Sequence, residues 1–226
     1  MKLYNFPWGP YPRRLTLYLA KKAISDIELI EVEFPHQPDR WPEGFLLKLN
    51  PAHSLPVLDV GNGVRIGQSI AILEYLEERY PTPNMLGETP EKRALTRELV
   101  AILDEATAFF GLWARQGSRV NADRHTPSVE AAKVGAERFA SKLRVAEAKF
   151  VGPFITGGTL TIADCVGMAL IEFVGQFYGV EVPADCPKLA EWYARLSERE
   201  TMRPPEYPSQ MLSQAHGLPE QTQIFL

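Results

Sequence analysis

Asn50-Pro51-Ala52-His53-Ser54-Leu55-Pro56-Val57-Leu58, and soon after it Gly67-Gln68-Ser69-Ile70-Ala71-Ile72-Leu73-Glu74-Tyr75-Leu76, decide how this chain is read. Pro56 sits inside a short apolar run, where a residue without an N–H cannot donate to a sheet ladder. It therefore belongs at a turn or an edge. A cis Leu55–Pro56 bond would turn the chain back just before a strand at Val57–Val60. The N–H and C=O of Leu55 would then face outward unpaired. An exposed backbone edge of this kind accepts an extended peptide as an added strand. Gln68-Ser69 then opens a helix, with Ser69 suited to the N-cap and Ile70, Ile72, Leu73 and Leu76 forming the apolar run. A helix start offers N–H groups and a positive dipole end, which favour a carboxylate. A peptide rail beside a carboxylate pocket suits a small peptide acid. The plainer alternative is a strand, a turn and a helix in which Pro56 only punctuates an edge.

Working outward, the first eighty residues alternate strand and helix. Met1–Phe6 is a short apolar strand, followed by the breaker-rich loop Pro7-Trp8-Gly9-Pro10-Tyr11-Pro12. A helix is expected from about Pro12 to Lys22, a strand at Ile27–Val32 and a short helix near Glu43–Leu49. Strands at Val57–Val60 and Val64–Ile66 hinge at Gly61-Asn62-Gly63, whose Asn-Gly step is a hairpin signal. A helix over Ser69–Tyr80 closes a β-α-β-α-β-β-α unit, the order of an α/β thioredoxin-like domain with a mixed sheet. Pro81-Thr82-Pro83-Asn84 ends that helix and starts a linker. The expected organisation is thus a first domain over 1–80, a linker over 81–90 and an all-α second domain over 91–226. In the latter, Glu91–Arg115 and Val129–Phe150 read as long helices. Thr161-Ile162-Ala163-Asp164 is a capping box before a buried helix, and Pro187 opens another. A tail over Pro204–Leu226 is rich in proline and glutamine. Its open roles are covering a pocket, packing on a partner subunit, or staying loose.

This layout, with Leu55-Pro56 and Gln68-Ser69 in place, resembles the cytosolic glutathione transferase family over about residues 1–200. The resemblance implies that Leu55 and Pro56 hold the cysteinyl backbone of glutathione and that Gln68 and Ser69 hold its γ-glutamyl end. Glu is commoner than Gln at the first of that pair. The amide oxygen of Gln68 can still accept from the ligand's ammonium group, without the charge. The resemblance further implies a transferase that stabilises the glutathione thiolate and conjugates it to a hydrophobic electrophile. It also implies a homodimer, with glutathione as co-substrate. A non-catalytic binding or regulatory protein of the same fold is the rival. A glutathione-dependent isomerase, ether-cleaving enzyme or peroxidase would use the same thiolate.

The thiolate stabiliser is the open assignment. Families with a serine or cysteine donor carry it in the loop before the first helix, and those with tyrosine at the end of the first strand. Here those positions hold Gly9, Pro10 and Tyr11, and Asn5 one residue after Tyr4. Three sources of hydrogen bonds stay in play. They are the phenol of Tyr11, the amide of Asn5, and N–H groups of Tyr11, Arg13 and Arg14 at the helix start, if Tyr11 is the cap. Arg13 and Arg14 read as a solvated helix face that could tune the site. Gln37, Arg40, Trp41 and His53 are candidates for the glycyl end, His53 when protonated. Trp8, Phe109, Phe110, Trp113 and Arg115 are candidates for an electrophile pocket between the domains, with core packing as the alternative for the aromatic residues.

Composition agrees with a soluble cytoplasmic protein. The chain has 226 residues, 45% of them hydrophobic, and a net charge of −4, which argues against nucleic acid and anionic membranes as partners. No run approaches the roughly 18 apolar residues needed to span a bilayer, and no signal peptide precedes Met1. Cys165 and Cys186 are the only cysteines, consistent with a reducing compartment. No metal is expected, because His36, His53, His125 and His216 show no ligand spacing. With no Cys-x-x-Cys, and no cysteine at the first helix, a thioredoxin-type dithiol mechanism is excluded.

Overall fold

The structure, a computed structural model, describes residues 1–32, 44–120 and 126–226. It divides into two compact units, Met1–Met85 and Leu86–Leu226.

The first unit is built on a four-stranded sheet ordered β2-β1-β3-β4, from β1 (Lys2–Asn5), β2 (Glu28–Glu31), β3 (Val57–Gly61) and β4 (Val64–Gly67). β1 runs parallel to β2 and antiparallel to β3, and β3 and β4 form an antiparallel hairpin. The hairpin turns at Asn62 and Gly63, with φ of 53° and 78°, the left-handed pair that an Asn-Gly step adopts at least cost. Side chains alternate across the sheet. Tyr4 and Val57, partners in the ladder, join Val32, Leu46, Leu49, Phe45 and Leu55 in one cluster, which seats α2 (Phe45–Leu49). Leu3 and Leu58, paired on the opposite face, are fully buried. α1 (Pro10–Lys22) packs on α3 (Ser69–Arg79), and α3 on β3 and β4.

The caps of α1 and α3 differ from the sequence reading. α1 begins at Pro10 rather than Pro12, with Gly9 as its N-cap, because Pro10 supplies the preset φ of a first helical residue. Tyr11 is therefore in the first turn and is not the cap. α3 begins at Ser69 with Gln68 as N-cap, and no side chain caps it. Ser69 is the first helical residue rather than the cap, and its hydroxyl accepts from Arg14.

A polar network also lies between α1 and α3. Lys22 ion-pairs with Glu77, and both side chains are almost wholly enclosed. The Glu77 carboxylate also accepts from the Tyr18 hydroxyl at 2.7 Å and from the Met85 N–H at 3.0 Å.

In the second unit, α4 (Pro90–Gly117) and α5 (Val129–Lys149) form the main pair, joined by α6 (Ile162–Glu172) and α7 (Pro187–Ser197). Gly135 makes the first pairing possible: a Cβ there would fall 2.6 Å from the Trp113 backbone nitrogen. α6 is buried along its whole length and opens with the Thr161–Asp164 capping box. Asp164 accepts from the Thr161 N–H at 2.8 Å, the Ile155 N–H at 2.9 Å and the Trp192 indole at 3.0 Å. Burial outweighs these donors and raises the Asp164 carboxyl above its ordinary value. After α6 the chain makes a π-helical turn, Phe173–Phe177.

The tail is packed on this unit. It forms α8 (Ser209–Ala215) and α9 (Glu220–Gln223), and α9 packs on α5. The Thr222 hydroxyl accepts from the Trp113 indole at 2.7 Å, and Arg144 donates to the Phe225 carbonyl at 2.9 Å.

Candidate functional site

The register of the sheet brings the sequence candidates of the first unit to one end. Tyr4 pairs with Val57, and Val57 pairs with Gly67. Asn5, the last residue of β1, Leu55-Pro56, leading into β3, and Gln68-Ser69, leaving β4, therefore share that end. The loop from Phe6 to Gly9 carries the chain from the same end into α1.

The Leu55–Pro56 bond is cis, and Pro56 is buried. Among the described residues, neither the N–H nor the C=O of Leu55 has a backbone partner. The preceding loop is held by Asn50, which accepts from the Ala52 N–H at 3.1 Å and donates to the Ser54 carbonyl at 2.9 Å. Asn50 also lies against Gly67, where a Cβ would come within 3.3 Å of its amide nitrogen. It thus braces both chain segments of the site, and the sequence reading missed it. An Asn before a proline was visible as a turn former, but its reach to Gly67 was not.

Four described non-glycine residues have positive φ. Ala23 closes α1 and Asn62 turns the hairpin. The other two are His53, at φ 51°, and Gln68, at φ 65°, both at the candidate site. Such a conformation costs about 1–3 kcal/mol per residue and concentrates where a side chain must be aimed. Both side chains are exposed, whereas Ser69 is buried at 3% exposure.

Ser69 and α1 are joined directly. Arg14 Nη1 donates to Ser69 Oγ at 3.1 Å, and the Arg14 guanidinium lies 4.6 Å from the centre of the Tyr11 ring. Arg14 is fully enclosed, so the expectation of a solvated face fails for it. Its neighbour Arg13 is half-buried and reaches Thr16 on its own helix. The proposed row of N–H groups at the start of α1 is also shorter than expected. Pro10 and Pro12 have no N–H, and that of Arg13 is donated to the Gly9 carbonyl at 3.0 Å. Asn5 is 2% exposed, and its Oδ1 is buried without a hydrogen-bond partner among the described residues.

Trp8 is half-buried in the loop before α1, edge-on to Phe6 at 5.4 Å. Phe110 and Trp113 belong to the core of the second unit, 1% and 0% exposed. Phe110 meets Trp113 at 5.7 Å, Phe139 at 5.3 Å and Tyr178 at 5.1 Å, so packing accounts for its faces. Gln37, Arg40 and Trp41 lie outside the described residues. Cys186 offers no nucleophile. Burial first, with the nearby Asp185 and Glu147 charges, pushes its thiol up to about 11. No cluster of metal-binding side chains is found among the described residues, and no described helix is long and apolar enough to cross a membrane.

Comparison with known proteins agrees with this geometry. Residues 8–79 match the N-terminal domain model of the glutathione S-transferases, and residues 121–203 match the C-terminal domain model. A probable glutathione S-transferase of Nicotiana tabacum, parC, is 31% identical over 212 residues, covering 88% of this chain and 86% of its own length. Glutathione S-transferase 2 of Saccharomyces cerevisiae is 27% identical over 214 residues, covering 90% of this chain and 88% of its own. The holo structure of a maleyl pyruvate isomerase, a bacterial zeta-class glutathione S-transferase, superposes with a TM-score of 0.72 at 27% identity, covering 90% of this chain and 95% of that one. Matched by the models of both domains and by relatives along most of its length, the chain belongs to the glutathione S-transferase family.

Proposed function

We propose that the protein binds glutathione at the sheet end shared by Asn5, Leu55-Pro56 and Gln68-Ser69, stabilises its thiolate and conjugates it to a hydrophobic electrophile. The observation that carries the reading is this convergence. A Leu55 backbone without a backbone partner among the described residues lies beside a helix start whose serine is backed by a buried arginine. The cysteinyl N–H and C=O of glutathione pair with the Leu55 backbone as an added strand. The γ-glutamyl carboxylate takes the start of α3 and the Ser69 hydroxyl, and its ammonium group takes the Gln68 amide oxygen. His53 serves the glycyl carboxylate.

The thiol then lies toward α1, where Tyr11 or Asn5 supplies a donor. Lowering a thiol from about 8.5 by two units takes roughly 2.7 kcal/mol of differential stabilisation, within reach of one or two hydrogen bonds to sulfur. The thiolate sulfur attacks the electrophilic carbon, forms the C–S bond, and the leaving group departs with its electron pair. In this reading Trp8 contacts the electrophile. The protein acts as a cytoplasmic homodimer and needs no metal.

An isomerase is the second reading, favoured by the likeness to the maleyl pyruvate isomerase. In that case the same thiolate adds to a substrate double bond and is expelled again, so glutathione is not consumed. Calorimetry with Gln68→Ala and Ser69→Ala tests the site. Each should weaken glutathione by about tenfold, and unchanged affinity in both would refute it. Consumption of glutathione with a generic aryl halide separates conjugation from isomerisation.

A further inference from the structure

Arg14 is the one arginine among the described residues that is fully enclosed, and its position is unusual for that residue type, which is seldom wholly buried unless paired. Burying a guanidinium is expensive. Its partners include two of the candidate site residues: Ser69, 55 positions away on another helix, at 3.1 Å, and the Tyr11 ring at 4.6 Å.

The bond to Ser69 has a directional consequence. A serine hydroxyl has one proton and two lone pairs. Arg14 can only donate, so it occupies a lone pair, and among the described residues nothing takes the Ser69 proton. The hydroxyl is thereby set as a donor, at the positive end of α3 and next to a buried cation. A carboxylate fits that combination, and an ammonium group does not.

Resting on the glutathione site proposed above, we infer that Arg14 is a positioning residue. It commits the Ser69 hydroxyl to donating toward the ligand's γ-glutamyl α-carboxylate and holds the Tyr11 ring in the same arrangement. Arg14 does not touch the ligand. It selects for the carboxylate through Ser69.

The test compares glutathione with the analogue in which hydrogen replaces that α-carboxylate, 4-aminobutyryl-cysteinyl-glycine. Wild-type protein should prefer glutathione by about tenfold or more. Arg14→Met should reduce the preference to about twofold. In a Ser69→Ala background the same substitution should change it by less than about twofold, since Arg14 acts through the hydroxyl. A wild-type preference retained in Arg14→Met overturns the inference and leaves the glutathione site standing. No preference in wild type overturns the carboxylate site itself, and this inference with it. Should Arg14→Met fail to fold, the guanidinium resonances of Arg14 in labelled wild-type protein serve instead. They should shift with glutathione and not with the analogue, and equal shifts with both, or none, contradict the proposal.

Discussion

Glu77 and Asp164 are both buried carboxylates, one in each unit, and they are satisfied in opposite ways. Glu77 sits against the Lys22 ammonium, with the Tyr18 hydroxyl and the Met85 N–H as further donors. Asp164 has no cationic partner among the described residues and relies on two backbone N–H groups, the Thr161 hydroxyl and the Trp192 indole. The first arrangement clamps two helices to each other. The second fixes the start of a helix to the loop and the helix around it. Arg14 brings a second buried cation to the candidate site, where it donates to Ser69.

The largest effect should come from Asp164→Ala, which strands three N–H donors in the core. At about 1–3 kcal/mol each, the loss should reach at least about 4 kcal/mol in urea unfolding. A cost under about 1 kcal/mol would mean that the capping network is ornamental. Glu77→Gln comes next, at about 3 kcal/mol, because it leaves the enclosed Lys22 charge without its counterion. In a Lys22→Met background the same change should cost about 1 kcal/mol or less. Additive costs in that double-mutant cycle would show that the ion pair is not the clamp.

The contribution of Asp164 should also depend on pH. The raised Asp164 carboxyl favours the protonated folded form. Its contribution is therefore full below the ordinary value of 3.8 and is lost as pH rises through the raised value. Against Asp164→Asn, the advantage of wild type should narrow as pH rises above 3.8, and a widening gap would reverse the sign of the argument. The smallest effect is at the tail. Thr222→Val removes the acceptor of the Trp113 indole, costing about 1 kcal/mol and shifting the tryptophan emission. An unchanged emission spectrum would show that the indole does not depend on the tail.

What was legible in the sequence follows the same division. The Asp164 cap spans three residues, so Thr161-Ile162-Ala163-Asp164 shows it directly, and the Asn62-Gly63 hairpin is local in the same way. Leu55-Pro56 and Gln68-Ser69 were legible as motifs because each is contiguous. Arg14–Ser69 and Lys22–Glu77 each span 55 residues. Periodicity along α1 does not distinguish Arg14 from the half-buried Arg13. The aromatic residues Phe110 and Trp113 carried no sign of whether they face a ligand or a core. Their packing depends on α5, the π-helical turn and the tail, all remote in sequence. The start of α1 was misplaced by two residues because both Pro10 and Pro12 are compatible with a first helical position.

The central claim is that the end of the sheet shared by Asn5, Pro56 and Gln68, with Tyr11 on the adjoining helix, holds glutathione as a thiolate. Ultraviolet titration of bound glutathione, following thiolate absorbance against pH, tests it directly in wild type, Tyr11→Phe and Asn5→Ala. The account predicts a thiol pKa lowered from about 8.5 to about 6–7 in wild type and raised again in the variant that loses the donor. Bound glutathione titrating at about 8.5 in wild type would contradict it.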